Sequence, residues 1–289
     1  MKLFLAEGRI GNQIFQYVFL KTIQDNNEKI IVSGFDELKK VFEINDFINL
    51  NKNNRWIRFF LFRICRPVLH FLSDIRVISS ITIKHETILN NYTRESTTFD
   101  SIQGIVKRIT FIKIGFFQSE IFFDKSLTNE FKFKKIFLMK AAELLKSIPN
   151  NYHKIFVHVR KKDYKNYTVY GQSTLLPMSY YKDQIEWFIQ NRKDCFFIFL
   201  GDDTKTLSEE FQYVENKIIS SNNHFGTDLA IMTQCNSAIL SASSFSWWGS
   251  YMMRERDIVF APKFWLGFRS KIEYPSHEVP SYAKEVEIF

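Results

Sequence analysis

Glycine and proline are scarce in this chain, at 10 and 6 of its 289 residues, and no run is of low complexity. Collagen-like repeats and Pro/Gly-rich disorder are thereby excluded. The three cysteines, Cys65, Cys195 and Cys235, are odd in number, far apart and without a CxxC pair. They supply neither a disulfide framework nor a zinc knuckle and suit a reducing compartment. No stretch offers the roughly 18 uninterrupted apolar residues of a membrane span. The opening MKLFLAEGRIGNQ lacks the continuous apolar core of a signal peptide, so a cytoplasmic protein is expected.

What is abundant is phenylalanine, with 31 residues, in a chain that is 45% hydrophobic and 24% charged. That composition builds a sizeable core, in one large or two medium domains. The net charge of +8 calls for an anionic partner, and charge alone leaves nucleic acid, anionic lipid and a nucleotide substrate open. Nucleic acid is not expected, because the aromatics fall in apolar strand and helix patterns rather than among clustered Lys/Arg. The lipid option rests on one segment, Arg55-Trp56-Ile57-Arg58-Phe59-Phe60-Leu61-Phe62-Arg63-Ile64-Cys65-Arg66. As a helix it puts Arg55, Arg58 and Arg66 near one another and Trp56, Phe60 and Ile64 on another face. Such an element can lie peripherally on a membrane, here the inner membrane, or be a surface helix with snorkelling arginines.

The chain opens on a βαβ pattern. Lys2 to Ala6 is an apolar strand, Glu7-Gly8-Arg9-Ile10-Gly11-Asn12-Gln13 a turn, Ile14 to Phe19 a helical stretch, and Lys29 to Val32 a second strand. Gly8 and Gly11 are open to two readings, turn punctuation or a ligand cradle at the carboxyl end of a strand. From Phe35 to about Asn129 the signals blur into short helices and polar connectors such as Asn90-Asn91-Tyr92-Thr93. Only Phe111, Ile112 and Ile114 stand out as a strand, followed by Gly115-Phe116-Phe117-Gln118-Ser119-Glu120. Phe131 to Ser147 reads as an amphipathic helix, and Pro149-Asn150-Asn151 as a break. The domains are therefore expected at 1–150 and 151–289.

Beyond the break, Ile155-Phe156-Val157-His158-Val159 is a buried strand running into Arg160-Lys161-Lys162-Asp163-Tyr164. Arg160 can hold phosphate oxygens in bidentate fashion. Asp163 can be a general base or the arginine's ion-pair partner. Pro177 to Gln190 is helical, and Cys195 to Leu200 a strand that ends in Gly201-Asp202-Asp203, where the carboxylates cap a helix from Thr204 rather than bind metal. The alternation predicts a parallel sheet with helices on both faces. Asp228 to Gly249 then joins a short helix, opened by Asp228 and closed at Asn236, to the strand Ala238-Ile239-Leu240. Next come the turn Ser241-Ala242-Ser243-Ser244 and a helix starting Phe245-Ser246-Trp247-Trp248. The helix N-terminus offers unpaired N–H groups and partial positive charge to a phosphate; alternatively the serines only cap it. Ile258-Val259-Phe260 is the last expected strand.

Four of these segments, in order, resemble the α-1,2-fucosyltransferase family and more remotely the α-1,6- and protein O-fucosyltransferases. They are Gly8-Arg9-Ile10-Gly11-Asn12-Gln13-Ile14-Phe15-Gln16-Tyr17, Gly115 to Glu120, His158 to Tyr164, and Asp228 to Gly249. The resemblance implies an α/β protein of two Rossmann-like domains facing across a cleft, the GT-B type. The N-terminal domain would serve the acceptor and the C-terminal one the donor. The implied reaction moves L-fucose, with inversion, from GDP-fucose (GDP-β-L-fucose) to the 2-hydroxyl of galactose in an oligosaccharide acceptor, free or lipid-linked. No cofactor or metal is implied.

On the same resemblance Arg160 clamps the diphosphate against the helix after Ser243 and Ser244. His158 and Asp228 match positions that contact guanine and ribose, and Asn12 reaches toward fucose or diphosphate. Gly11, Gln13, Asp202 and Phe245 complete the implied substrate-binding set. Asp163 is the first choice for the base and Glu7 the second; a late proton transfer would need no strong base. Lys161 and Lys162 depart from the family's arginine and glycine, and Glu7 stands where a glycine is usual.

Overall fold

The computed structural model describes residues 1–50, 54–89, 92–113 and 115–289. They divide into two compact units, Met1–Lys132 and Phe133–Phe289. The boundary thus falls before the helix Lys135–Leu145, not at the break near residue 150, because that helix packs into the second unit: Phe137 stacks on His224 at 4.9 Å between ring centroids. The break Pro149-Asn150-Asn151 is a turn inside the second unit.

In the first unit β1 (Lys2–Leu5), α1 (Ile10–Thr22), β2 (Ile30–Ser33), α2 (Asp36–Val41) and β3 (Ile48–Asn49) continue the expected βαβ opening. β1 pairs in parallel with β2, Lys2 opposite Ile30 through Leu5 opposite Ser33. α1 is buried nearly all round, with Gln13 and Gln16 the polar residues among its buried positions. Next, α3 (Arg55–Phe60), a π-helical turn (Leu61–Cys65) and α4 (Arg66–Asp74) run on without a break. The Asn54 side chain caps the start, accepting from the backbone N–H groups of Trp56 and Ile57 at 2.9 and 3.3 Å.

The blurred region turns out to hold a long antiparallel hairpin, β4 (Ile78–Leu89) with β5 (Tyr92–Ile102), and then β6 (Val106–Ile112). These strands are rich in Ser, Thr and charged residues, with much of β5 exposed. A two-sided polar strand loses the apolar alternation that marks strands in sequence. Asn90, Asn91 and Ile114 lie outside the described residues. The sheet order is β3-β2-β1-β6-β4-β5, with every pairing parallel except β4 with β5. Phenylalanines fill its core: Phe19 stacks on Phe117 at 3.7 Å, and Phe4 and Phe122 flank that pair.

The second unit comprises α5 (Lys135–Leu145), β7 (His153–Val159), a small hairpin of β8 (Thr168–Val169) and β9 (Gln172–Ser173), α6 (Met178–Asn191), β10 (Cys195–Gly201), α7 (Thr204–Glu210), β11 (Lys217–Ile219), α8 (Phe225–Met232), β12 (Ser237–Ile239), α9 (Ser244–Tyr251), β13 (Val259–Pro262) and β14 (Lys284–Val286). Its six-stranded sheet has the order β11-β10-β7-β12-β13-β14, parallel throughout. Counted within the unit, that is strand 3-2-1-4-5-6, the doubly wound dinucleotide-binding order. The edge strand β14 was not expected, since three residues of a C-terminal tail carry no periodic signal.

β7 alternates as a strand buried on both faces must. Ile155, Val157 and Val159 join Tyr181, Ile185 and Phe188 of α6 in one core cluster, which leaves Phe156 and His158 on the opposite face. Trp247 and Trp248 of α9 are fully buried, as expected, and the Trp247 indole N–H donates to the Glu278 carbonyl at 2.7 Å. Among the described residues no helix is long and apolar enough to cross a membrane.

Candidate active site

In an open parallel sheet the strand order reverses between the first and fourth strands, and ligands bind at the carboxyl ends there. In the second unit that point lies between β7 and β12. β7 delivers His158 and Arg160, and β12 delivers Ser241 to Ser244, so two segments that are distant in sequence meet at one edge.

Hydrogen bonds from several elements pin the turn after β12. His158 Nδ1 and Ser241 Oγ lie 2.6 Å apart. Tyr164 donates its hydroxyl to the Ala242 carbonyl at 2.6 Å, and Tyr180 donates to the Leu240 carbonyl at 2.8 Å. Ser246 donates to the carbonyls of Ser241 and Ser243, both at 3.1 Å. Ser243 is the N-cap of α9; its Oγ accepts from the Phe245 N–H at 3.4 Å. The capping reading of the serines holds at Ser243. Ser243 caps, and the remaining N–H groups of the first turn of α9 are the kind that receive phosphate oxygens. Ser244 and Phe245 are half-buried there.

His158 is 3% exposed. Burial, with Arg160 nearby, pushes its pKa down to about 3, so the ring is neutral at ordinary pH. It also leans on Phe245, with ring centroids 5.6 Å apart. Its observed task is to hold Ser241 and Phe245. Burial also raises the Tyr164 hydroxyl far above its ordinary pKa, which keeps it a donor.

Arg160 is bracketed by carboxylates. It pairs with Asp163, and its Nε lies 3.6 Å from Asp202 Oδ2. Asp202 also accepts from the backbone N–H groups of Lys161 (2.9 Å) and Lys162 (3.1 Å) and so fixes the turn after β7. Asp203 is the N-cap of α7, as expected, and Thr206 donates its hydroxyl to it at 2.8 Å. Those hydrogen bonds from Thr206 lower its pKa. Lys161 reaches back to Thr206 at 2.8 Å and Asp203 at 3.5 Å. Lys162 is exposed and has no ion-pair partner among the described residues. Three cations and three carboxylates thus leave this turn formally neutral.

Asp228 does not open α8. The helix starts at Phe225, and His224 is its N-cap, with Nδ1 accepting from the Gly226 N–H at 3.0 Å. The helix ends at Met232 rather than at Asn236. Asp228 sits in the first turn, where Ser220, just beyond β11, donates to it at 2.6 Å. Burial raises its pKa, and the Ser220 bond opposes the rise. This carboxylate lies at the carboxyl end of the same sheet, two strands out from β7.

The first unit carries its own cluster at the carboxyl ends of β1 and β6. Gly8 has φ +83, and a Cβ there would come within 2.4 Å of Asn12 Nδ2. Backbone conformation and close approach both demand glycine. Asn12 in turn accepts from the Gln118 amide at 2.8 Å, which joins two of the motif segments. Gly11 is buried in the first turn of α1. Gln13 is 2% exposed, donating to the Gly8 carbonyl at 3.0 Å and accepting from the Leu38 N–H at 2.9 Å. Its side chain therefore fixes the turn. Glu7 forms an ion pair with Arg66.

Several contributors escaped sequence reasoning. Glu95 on β5 accepts from the Phe116 N–H at 3.2 and 3.3 Å, and burial raises its pKa. It anchors the Gly115–Gln118 turn, in which Phe117 takes a left-handed φ of 54 and plugs the core. Glu37 accepts from the Ile10 N–H at 2.8 Å, at the start of α1. Glu278 is a carboxylate 1% exposed whose charge bears on Tyr164 and Tyr167. None lies in a motif; only a carboxylate or hydroxyl within an otherwise plain segment hinted at them.

The chain is 24% identical over 296 residues to the O-antigen biosynthesis glycosyltransferase WbnK of Escherichia coli, covering 91% of this chain and 94% of the relative. It is 24% identical to an alpha-1,2-colitosyltransferase of Escherichia coli, with 89% and 90% covered. It is 22% identical to the galactoside alpha-(1,2)-fucosyltransferase 1 of Mus musculus, covering 85% of this chain and 61% of the mouse protein. The fold is like that of POFUT1 in complex with GDP-fucose, with TM-score 0.54, 11% identity, and 90% and 97% of the two chains covered. The profile of glycosyl transferase family 11 matches residues 4–273, and the chain belongs to that family of glycosyltransferases.

Proposed function

We propose that this glycosyltransferase moves L-fucose from GDP-β-L-fucose to the 2-hydroxyl of a galactose in a surface-polysaccharide or O-antigen oligosaccharide. The observation that carries the donor half is the reversal point of the 3-2-1-4-5-6 sheet. Arg160 and the Ser243-capped N-terminus of α9 stand there together, held by His158, Tyr164 and Asp202. A permanently charged fork and a set of aligned N–H groups suit a diphosphate. They are organised before it arrives, as stabilisation of a leaving group requires. A GT-B organisation is part of this reading, supported by the separate six-stranded sheet in each unit.

In the proposed reaction the acceptor O2 bonds to fucose C1 as the bond from C1 to the β-phosphate oxygen breaks, with inversion. The hydroxyl proton passes to a carboxylate, Asp163 before Glu7, and GDP leaves with the bonding pair. Negative charge grows on the diphosphate, where Arg160 and α9 oppose it, so we infer that no metal is needed.

A second reading, transfer of colitose rather than fucose, is favoured by the colitosyltransferase relative, at the same 24% identity as WbnK. Incubation with GDP-fucose, a β-galactosyl disaccharide and EDTA tests the proposal, with the new linkage read by NMR. An α-1,2-fucosyl product with EDTA present is expected. Absence of GDP release with every galactoside overturns the acceptor, and a strong preference for GDP-colitose in direct competition overturns the donor.

A further inference from the structure

The segment from Arg55 to Asp74 is one continuous helical stretch of 20 residues, about 30 Å long at 1.5 Å per residue. Trp56, Phe60, Ile64, Val68, Phe71 and Ile75 recur along it in steps of three and four, the spacing of one helical face, and each is half or more exposed, Trp56 at 81%. Ile105, 82% exposed, extends the stripe, because its N–H donates to the Arg76 carbonyl at 2.9 Å. Monomeric soluble proteins rarely leave so long a contiguous apolar strip in water.

Charge decides what covers it. Two of the three arginines that sequence alone grouped as lipid contacts are occupied, since Arg58 pairs with Asp36 at 3.2 Å and Arg66 with Glu7. The cations left over in and just beyond the segment are Arg63 and Arg76, exposed and without ion-pair partners among the described residues. Asp74, the segment's lone acid, is matched by Lys113 at 2.7 Å. Beneath the helix a cavity of about 330 Å³ is lined by apolar side chains, among them Leu3, Leu5, Ile31 and Leu61. Ile64 and Val68 belong both to its wall and to the exposed stripe.

An apolar face fringed by unpaired cations complements lipid tails and phosphates at the surface of a bilayer. We propose that the face formed by residues 56–75 and Ile105 docks on anionic phospholipid membrane, with the cavity beneath Ile64 and Val68 admitting an acyl chain. The helix lies in the interface rather than across it. This docking rests on the surface alone, not on the proposed donor or acceptor.

Co-sedimentation of the full chain with phosphatidylglycerol/phosphatidylethanolamine vesicles and with phosphatidylcholine vesicles tests it. Trp56 is a built-in probe, since Trp247, Trp248 and Trp265 are fully buried and Trp187 is half-buried against the core of the second unit. Binding to the anionic vesicles should blue-shift the emission, and Trp56→Ser should remove the shift. The double variant R63E/R76E should bind about tenfold more weakly or worse. F60S/F71S should stay in the supernatant while transfer to a free disaccharide is unchanged, which separates this claim from the enzymatic one. Failure to sediment with anionic vesicles overturns the proposal. So does a concentration-dependent dimer that F60S/F71S dissolves, because a second copy would then cover the face.

Discussion

His158 Nδ1 and Ser241 Oγ, 2.6 Å apart, tie the first strand of the second unit to the turn after the fourth. Because burial holds the ring's pKa near 3 while the unfolded chain titrates near its ordinary value of about 6.5, only the unfolded chain gains this proton in between. Stability is therefore lost as pH falls below about 6.5. From pH 7 to 5 the loss from this one group is about 2 kcal/mol. Urea unfolding of the wild type and of His158→Asn at both pH values checks this. The drop on acidification should be smaller in the variant by that amount, and an equal drop means His158 titrates normally.

Gly8 and Gly171 share a left-handed backbone, with φ +83 and +74, but only at Gly8 would a Cβ collide, with Asn12; nothing lies within 4 Å at Gly171. Alanine at either position should cost about 1–2 kcal/mol in thermal unfolding. Gly8→Ala should in addition lower transfer more than tenfold by displacing Asn12 from Gln118, while Gly171→Ala keeps its activity.

Asp202 and Asp203 are neighbours with different tasks. Asp202→Ala strands the N–H groups of Lys161 and Lys162, at about 1–3 kcal/mol, and should raise the donor KM by loosening Arg160. Asp203→Ala loses a helix cap, at about 1 kcal/mol, and should leave the donor KM unchanged. Unfolding and initial rates on the two variants separate the roles.

Both candidate bases are ion-paired, Glu7 with Arg66 and Asp163 with Arg160, and Asp163 is the more exposed, at 55% against 31%. Asp163→Asn should lower kcat about 100-fold, whereas Glu7→Gln should cost less than tenfold. Preserved kcat in both variants would mean late proton transfer without a strong base.

The turns after β7 and β12 were legible because each ends a short buried strand. β7 and β12 carry buried apolar residues on both faces, such as Phe156 with Val157 and Ala238 with Ile239, and the polar residues that follow announce a strand's end. The bracing roles of the hydroxyls on Tyr164, Tyr180 and Ser246 were invisible in sequence, since the two tyrosines act across long separations and Ser246 resembles an ordinary helix residue. The β4–β5 hairpin was missed because its Ser- and Thr-rich strands bury little. Asp228 was placed at the start of α8 because a carboxylate there mimics an N-cap; His224 takes that position instead. Phe137 escaped notice as a link to His224, and the domain boundary was set too late as a result.

Calorimetric titration of GDP into the wild type and Arg160→Ala tests the central claim, that the donor's diphosphate is bound at the reversal point between β7 and β12. The account predicts a thermal midpoint close to wild type in the variant, with GDP bound at least about tenfold more weakly, as loss of a charge-assisted contact requires. Arg160→Ala that binds GDP as tightly as the wild type would contradict it.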